Sequence, residues 1–378
     1  MPRAYLSTLT LIFVWLDGTL FWVLKSFHWT GDSVTNKLPQ DRIDTHATHT
    51  SAEAGTQPAS IEVLEAAQTV EKTSDDGEVK LESGKTVEKR LLRGVLISLA
   101  GGACWGINGT FVKILLETYN IPELWLVCVR ELFASVLFLV TAYCINRSGL
   151  TGILKNKKDM LNLAWISVVS ILMSNISYVM TISYTNSATA TVLQILSVVL
   201  VLFYVCVHNR RRPRGRELVG IMLAIGGTYL LATGGNPSEL NVPVLGLVWG
   251  GICALSAAAL AILPNDLLNK WGSFVVNGYA MLISGLMLAV YVQPWNYIPH
   301  IDAVGWTLIV FAIVVGTYGA YALFLQGLHE VGAVRASMLT TSEPLVAMLS
   351  SVLLMGTTFS VTDLIAFAMI IVMVYLTA

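Results

Sequence analysis

The stretch SNISYVMTISYTNSATATVLQILSVVLVLF, residues 174–203, and the later stretch AYALFLQGLHEVGAVRASMLTTSEPLVAML, residues 320–349, decide the fold. One lies on the other without a gap at an offset of 320 − 174 = 146 residues, and the register holds from Ser174–Pro213 on Ala320–Phe359. In each copy an apolar run reaches a tight break, SYTNSATA in the first and HEVGAVRA in the second, and a new apolar run then opens on small residues. Gly94 falls on Gly246 at an offset of 152, which carries the duplication back to the start of each half. The chain is therefore read as two related halves, 91–235 and 242–378.

Each half contains five apolar runs of about 17 to 25 residues, the length of a membrane-crossing helix. Their spans are close to 92–113, 123–145, 160–182, 187–208 and 217–233, then 244–264, 272–293, 304–327, 333–355 and 361–377. The expected fold is thus all-α, a polytopic membrane protein with ten transmembrane helices, numbered one to ten below. Five is odd, so the second half enters the membrane in the opposite sense to the first. Two inverted five-helix repeats are the architecture of secondary transporters, in which similar packings exchange roles around a central site.

Composition agrees. The 378 residues are 55% hydrophobic and 12% charged, with a mean hydropathy of +0.68. A soluble globular enzyme, with about 25% charged residues, is excluded. The net charge of −1 gives no reason to expect a nucleic-acid partner. The expected partners are the lipid bilayer and a small-molecule substrate, and a homodimer stays open. Half of the 24 acidic residues fall between His28 and Glu88, where aromatic and branched apolar residues are few. Such a segment cannot bury enough surface to fold alone, so 28–90 reads as a disordered acidic linker. Ahead of it, residues 1–27 form an ambiguous hydrophobic segment: 5–24 are long enough to span, but Asp17 and Gly18 interrupt them. An extra N-terminal helix is therefore left open. A signal peptide is not expected, because only Arg3 precedes the run and no small-residue cleavage site follows.

Lys and Arg mark orientation, since short loops rich in them stay cytoplasmic. They precede helix one (Arg90, Arg93), and follow helices two (Arg147, Lys155, Lys157, Lys158), four (Arg210, Arg211, Arg212, Arg214, Arg216), six (Lys270) and eight (Arg335). The alternate loops carry none except Lys113, at the end of helix one. Both ends of the ten-helix body are expected in the cytoplasm, with the plasma membrane as the location.

The chain has no HExxH, GxSxG or GxxxxGK[ST], so neither a metallohydrolase, a serine hydrolase nor an ATP-driven pump is expected. Its five cysteines form no CxxC pair and its histidines are scattered, so neither metal nor cofactor is expected. An ion gradient, exchange or facilitation remains as the drive. A membrane-embedded enzyme or a channel is the alternative, but a channel has no need of two inverted halves.

Two ionisable groups inside the spans stand out. Arg130 lies about 10 Å deep in helix two at about 1.5 Å per residue, where a charge is costly unless it faces a cavity or a partner. It is read either as a contact for an anionic substrate or as a structural ion pair, with a residue of helix nine as the partner. Glu131, about 100° further around, is expected to point elsewhere. Glu343 is expected about ten residues into helix nine, just before Pro344, where the ring frees a carbonyl; it is the candidate for proton coupling. Asn108, Asn175, Tyr178, Gln194, Tyr321 and Ser342 complete the candidate substrate-binding set. Each could equally stitch helices together, and the spacings Gly102 to Gly106 and Gly246 to Gly250 are read as close helix contacts.

At these residues the chain resembles the drug/metabolite transporter superfamily, EamA type. The resemblance covers residues 91–378. It rests on GGACWGINGTF (Gly101–Phe111), on Arg130, on LGLVWGGICALSAAALAIL in helix six and on GAVRASMLTTSEPLVAMLSSVLLMG (Gly332–Gly356) with its Glu343-Pro344 pair. It departs at Val198, where a helix-kinking Pro is common, and at His208–Arg212 and Thr357, where a Gly-Glu turn is usual. The resemblance implies the ten-helix fold and transport of a small metabolite, such as an amino acid, an organic anion or a drug-like compound, by alternating access.

Overall fold

The computed structural model describes residues 84–377 apart from 209, 237–239, 333–334 and 337–338, with side chains from Leu91 onward. The expected span over 5–24 and most of the acidic stretch lie outside the described residues. At the boundary the expectation is corrected: the first helix already begins at Gly84, inside the stretch read as disordered to residue 90.

Among the described residues eight helices are long and apolar enough to cross a membrane: Leu91–Glu117, Glu123–Ile145, Lys157–Tyr184, Ser187–His208, Gly215–Thr233, Val244–Ile262, Ser273–Val292 and Ala303–Val331. Two shorter apolar helices, Ser342–Met355 and Val361–Thr377, complete the ten. Helix two shows why they arrange as they do. Phe133, Val136 and Val140 lie on one exposed stripe, while Val127, Arg130, Ala134 and Phe138 are buried on the other face. A continuous apolar stripe of this kind would be a large sticky patch in water; in a bilayer it faces lipid.

Glycine sets how closely the buried faces meet. A Cβ at Gly94 would stand 2.6 Å from Val331 Cγ1, and one at Gly246 would stand 2.7 Å from Thr185 Cγ2. Since 331 − 185 = 146, these are the same contact made in each half, at the spacing read from the sequence. Helix two crosses helix seven, helix five crosses helix ten, and helix one lies against helices eight and nine as helix six lies against three and four.

Two pairs of backbone irregularities repeat in the same way. Helices three and eight each contain a six-residue π turn, Ser167–Leu172 and Val314–Gly319. Helix four is interrupted at Leu196, whose N–H bonds Leu193 O at 3.2 Å, and helix nine at Thr340–Thr341, where Glu343 N bonds Thr340 O at 2.9 Å. Glu343 therefore does not lie ten residues into a kinked helix. It is the second residue of a helix that restarts at Ser342. Pro344 is the third, where an N–H has no intrahelical acceptor to lose. Helix four breaks at the matching place with Val198 in its sequence, so proline is not what creates the interruption.

Two short helices that the hydropathy pattern does not predict, Arg147–Lys155 and Asn265–Trp271, fill the loops after helices two and six. Asn146 caps the first by accepting from Gly149 N at 2.9 Å and donates to Trp271 O at the same distance, joining the pair. Asp159 adds Lys270 at 2.6 Å and Trp271 Nε1 at 2.9 Å. At the opposite face Asp302 caps helix eight through Gly305 N at 2.8 Å and accepts from Tyr119 OH at 2.8 Å. These bonds hold the Asp302 carboxyl below the usual carboxylate range. A depressed value means that the contribution is complete at neutral pH and fades as acid protonates the carboxyl.

The tightest approach of a glycine to backbone atoms is at Gly106 in helix one. A Cβ there would meet Glu343 O at 2.5 Å and Ala347 N at 2.9 Å, both backbone atoms that cannot turn aside. Gly106→Leu is expected to destabilise by about 3 kcal/mol or more. A melting midpoint in detergent within a degree of the parent would contradict this.

Candidate functional site

Arg130 and Glu131 are neighbours in sequence, 4% and 1% exposed. One amide on helix three serves both. Arg130 Nη2 donates to Asn175 Oδ1 at 2.7 Å, and Asn175 Nδ2 donates to Glu131 Oε1 at 2.9 Å. The expectation that Glu131 points elsewhere is corrected here. Two side chains 100° apart can reach the two ends of one carboxamide, because Asn carries both an acceptor and a donor. The expected partner on helix nine is corrected as well: the polar partner of Arg130 is on helix three. Its Nε is buried and unpaired.

The second half repeats the positions with different chemistry. Asn277 (131 + 146) donates from Nδ2 to the hydroxyl of Tyr321 (175 + 146) at 2.7 Å. Tyr321 also packs edge-on to Phe138, 5.4 Å between centroids. A charged triad in one half thus faces a neutral pair in the other.

Tyr178, one turn beyond Asn175, bonds Thr191 Oγ1 at 3.1 Å and sits within electrostatic reach of both Glu343 and Arg130. Glu343 is half-buried, and among the described residues its carboxyl has neither a hydrogen bond nor an ion pair. It stands in the first turn of a helix that restarts at Ser342. This is how transporters use interrupted helices at a substrate or ion site.

The other candidates meet different surroundings. Asn108 is 5% exposed, pressed against Gly316 in the π turn of helix eight, with Oδ1 unpaired. Gln194 is half-buried two residues before the break in helix four. Ser342 turns to helix one, packing on Gly102 and reaching Leu99 O at 3.4 Å. The structure thus gathers Arg130, Asn175 and Tyr178, with Glu343 beside Tyr178, and pairs Tyr321 with Asn277. No described hydrogen bond joins Asn108, Gln194 or Ser342 to them. Glu131 and Asn277 were missed by sequence reasoning; their signal was two polar residues inside apolar runs at the repeat spacing. Among the described residues no group of three His, Cys, Asp or Glu side chains could hold a metal ion.

Ten helices in two inverted halves, with matching interruptions around buried polar groups, define a polytopic membrane protein of transporter architecture. The sequence model of the EamA-like transporter family matches residues 92–233 and again 244–378, and the chain belongs to that family. It is 34% identical over 273 residues to the uncharacterized inner membrane transporter YicL of Salmonella typhimurium, covering 72% of this chain and 90% of the relative. It is 19% identical over 275 residues to the uncharacterized transporter YcbK of Bacillus subtilis, covering 70% and 85%. A solved crystal structure of a protein superposes with a TM-score of 0.50 at 13% identity, over 78% of this chain and 96% of the other, a likeness of fold alone.

Proposed function

We propose that this membrane transporter carries a small zwitterionic or anionic metabolite, of the amino-acid or organic-anion kind, across the plasma membrane by alternating access, coupled to protons through Glu343, and performs no enzymatic step. The observation that carries the reading is the unpartnered Glu343 carboxyl at the restart of helix nine, within reach of Tyr178. Support comes from two buried groups left unpaired, the donor Arg130 Nε and the acceptor Asn108 Oδ1. Each unmade bond costs about 1 to 3 kcal/mol, a cost that a ligand with a carboxylate and an amine would relieve. Arg130 is already balanced by Glu131 through Asn175, so a substrate carboxylate competes with an amide for the guanidinium and release stays easy.

The test is uptake of labelled amino acids and organic anions into sealed proteoliposomes under an imposed pH difference. Accumulation without ATP is expected; no accumulation of any compound with either polarity of gradient would reject the reading. Orientation is tested separately. Arg211→Cys should label only from the cytoplasmic side and Asn236→Cys only from outside intact cells, and the reverse pattern would overturn it.

A further inference from the structure

Lys113 stands on the membrane face whose loops otherwise carry no Lys or Arg, yet it is 5% exposed. Its Nζ donates to Ile182 O at 2.9 Å and Ser183 O at 3.0 Å, carbonyls at the end of helix three, and pairs with Glu117 at 2.8 Å. One turn back on helix one, Thr110 Oγ1 is 2.9 Å from Ser187 Oγ on helix four and 2.6 Å from Ser350 Oγ on helix nine. Ser187 and Ser351 close the knot at 2.9 Å. One cation and four buried hydroxyls therefore join helices one, three, four and nine at one face. Directly beneath, Thr191 bonds Ser187 O at 2.8 Å and Tyr178 OH at 3.1 Å, so the knot lies over the candidate site.

The inverted repeat supplies an internal comparison. At the opposite face the positions matching Lys113 and Thr110 are Asn265 and Ile262, by the offset of 152, and those matching Ser350 and Ser351 are Tyr204 and Val205, by the offset of 146. Among the described residues the Asn265 side chain bonds Ala261 O alone, one turn back in its own chain, at 3.1 Å. Tyr204 is 44% exposed where Ser350 is 7% exposed. Among the described residues the positions matching Lys113, Thr110, Ser350 and Ser351 thus form no equivalent knot, and the opposite face is joined instead through Arg93 with Glu330 and Asp159 with Lys270 and Trp271.

We infer that Lys113 is the latch of a gate formed by Thr110, Ser187, Ser350 and Ser351, and that the molecule as described is closed on the Lys113 face. The inference deepens the alternating-access reading and rests on it. Opening requires the ammonium to leave the two carbonyls, and Glu117, 53% exposed, gives it a partner to follow toward water. A lysine suits this, being a mobile point charge on a four-carbon stem.

The experiment needs no substrate. In reconstituted protein with its five cysteines replaced and Thr191→Cys as reporter, an impermeant maleimide is added on the Lys113 face. Lys113→Ala should label about tenfold faster than the parent, and Lys113→Arg, which keeps the cation, close to the parent rate. Equal rates for Lys113→Ala and parent would overturn the proposal. A second measurement leaves Lys113 in place. In a Ser187→Cys/Ser351→Cys protein, oxidation should stop uptake and dithiothreitol restore it; unchanged uptake in the cross-linked protein would also overturn the proposal. Faster labelling of Lys113→Ala in a preparation that moves no solute supports the gate while rejecting the transport reading, so the two fail separately.

Discussion

Arg130→Lys is expected to lower uptake by about 100-fold with the amount of folded protein near that of the parent. The guanidinium offers Nη2 to Asn175 and keeps a buried Nε in reserve, an arrangement of two fixed donors that one ammonium cannot reproduce. A hundredfold corresponds to about 2.7 kcal/mol, within the range of a hydrogen bond to a charged group. Arg130→Ala differs in kind. It leaves the Glu131 carboxyl 1% exposed without its cation, and breaking such a buried arrangement costs about 3 to 5 kcal/mol. Removing both charges separates fold from function. Arg130→Leu/Glu131→Leu should recover most of the lost stability while remaining inactive, since apolar residues of similar size replace a buried pair without penalty. Uptake by the double variant at the parental rate would show that the triad only holds helices two and three together.

How much of this was legible follows from what each feature writes into the sequence. Burial against lipid writes length and hydropathy, so the ten spans could be read to within a few residues, but not the interruption of helix nine at Thr340–Thr341. The repeat writes a spacing, and the same 146 residues recur in Gly94 on Val331 against Gly246 on Thr185. Backbone irregularities write much less. A π turn such as Ser167–Leu172 shifts the hydrogen-bond partner by one residue without changing which residues are apolar. The break at Leu196 has neither Gly nor Pro beside it, so only the position of its counterpart at Thr340–Thr341 could have announced it. Partner choice writes least. Arg130 was visible as a buried charge, but Asn175 as the group that reconciles it with Glu131 is a matter of three dimensions. Ser351, 1% exposed, reads in sequence as an ordinary small helix residue.

Glu343→Gln is expected to abolish accumulation driven by a pH difference while leaving counterflow exchange of substrate within about twofold. The carboxyl has no hydrogen-bond or ion-pair partner among the described residues, so its charge is compensated by whatever enters the site. An unpartnered carboxylate is costly to enclose in an apolar surround, and a carboxyl carrying a proton is not. A cycle in which the site closes over a protonated Glu343, opens on the other side and releases the proton therefore couples substrate movement to the gradient. Glutamine keeps the size of the protonated side chain and most of its hydrogen bonding, but it cannot release a proton. The gradient then has no group to act on, whereas exchange, which needs no net proton movement, continues. The same variant with Arg130 intact also distinguishes the two ionisable sites. If Glu343 instead served to balance Arg130, its neutralisation would disturb substrate binding and raise the half-saturation concentration for exchange. The geometry argues against that, because Asn175 and Glu131 already occupy Arg130. Uphill accumulation by Glu343→Gln under a pH difference would remove Glu343 from the coupling step and leave it as the first-turn acid of a restarted helix.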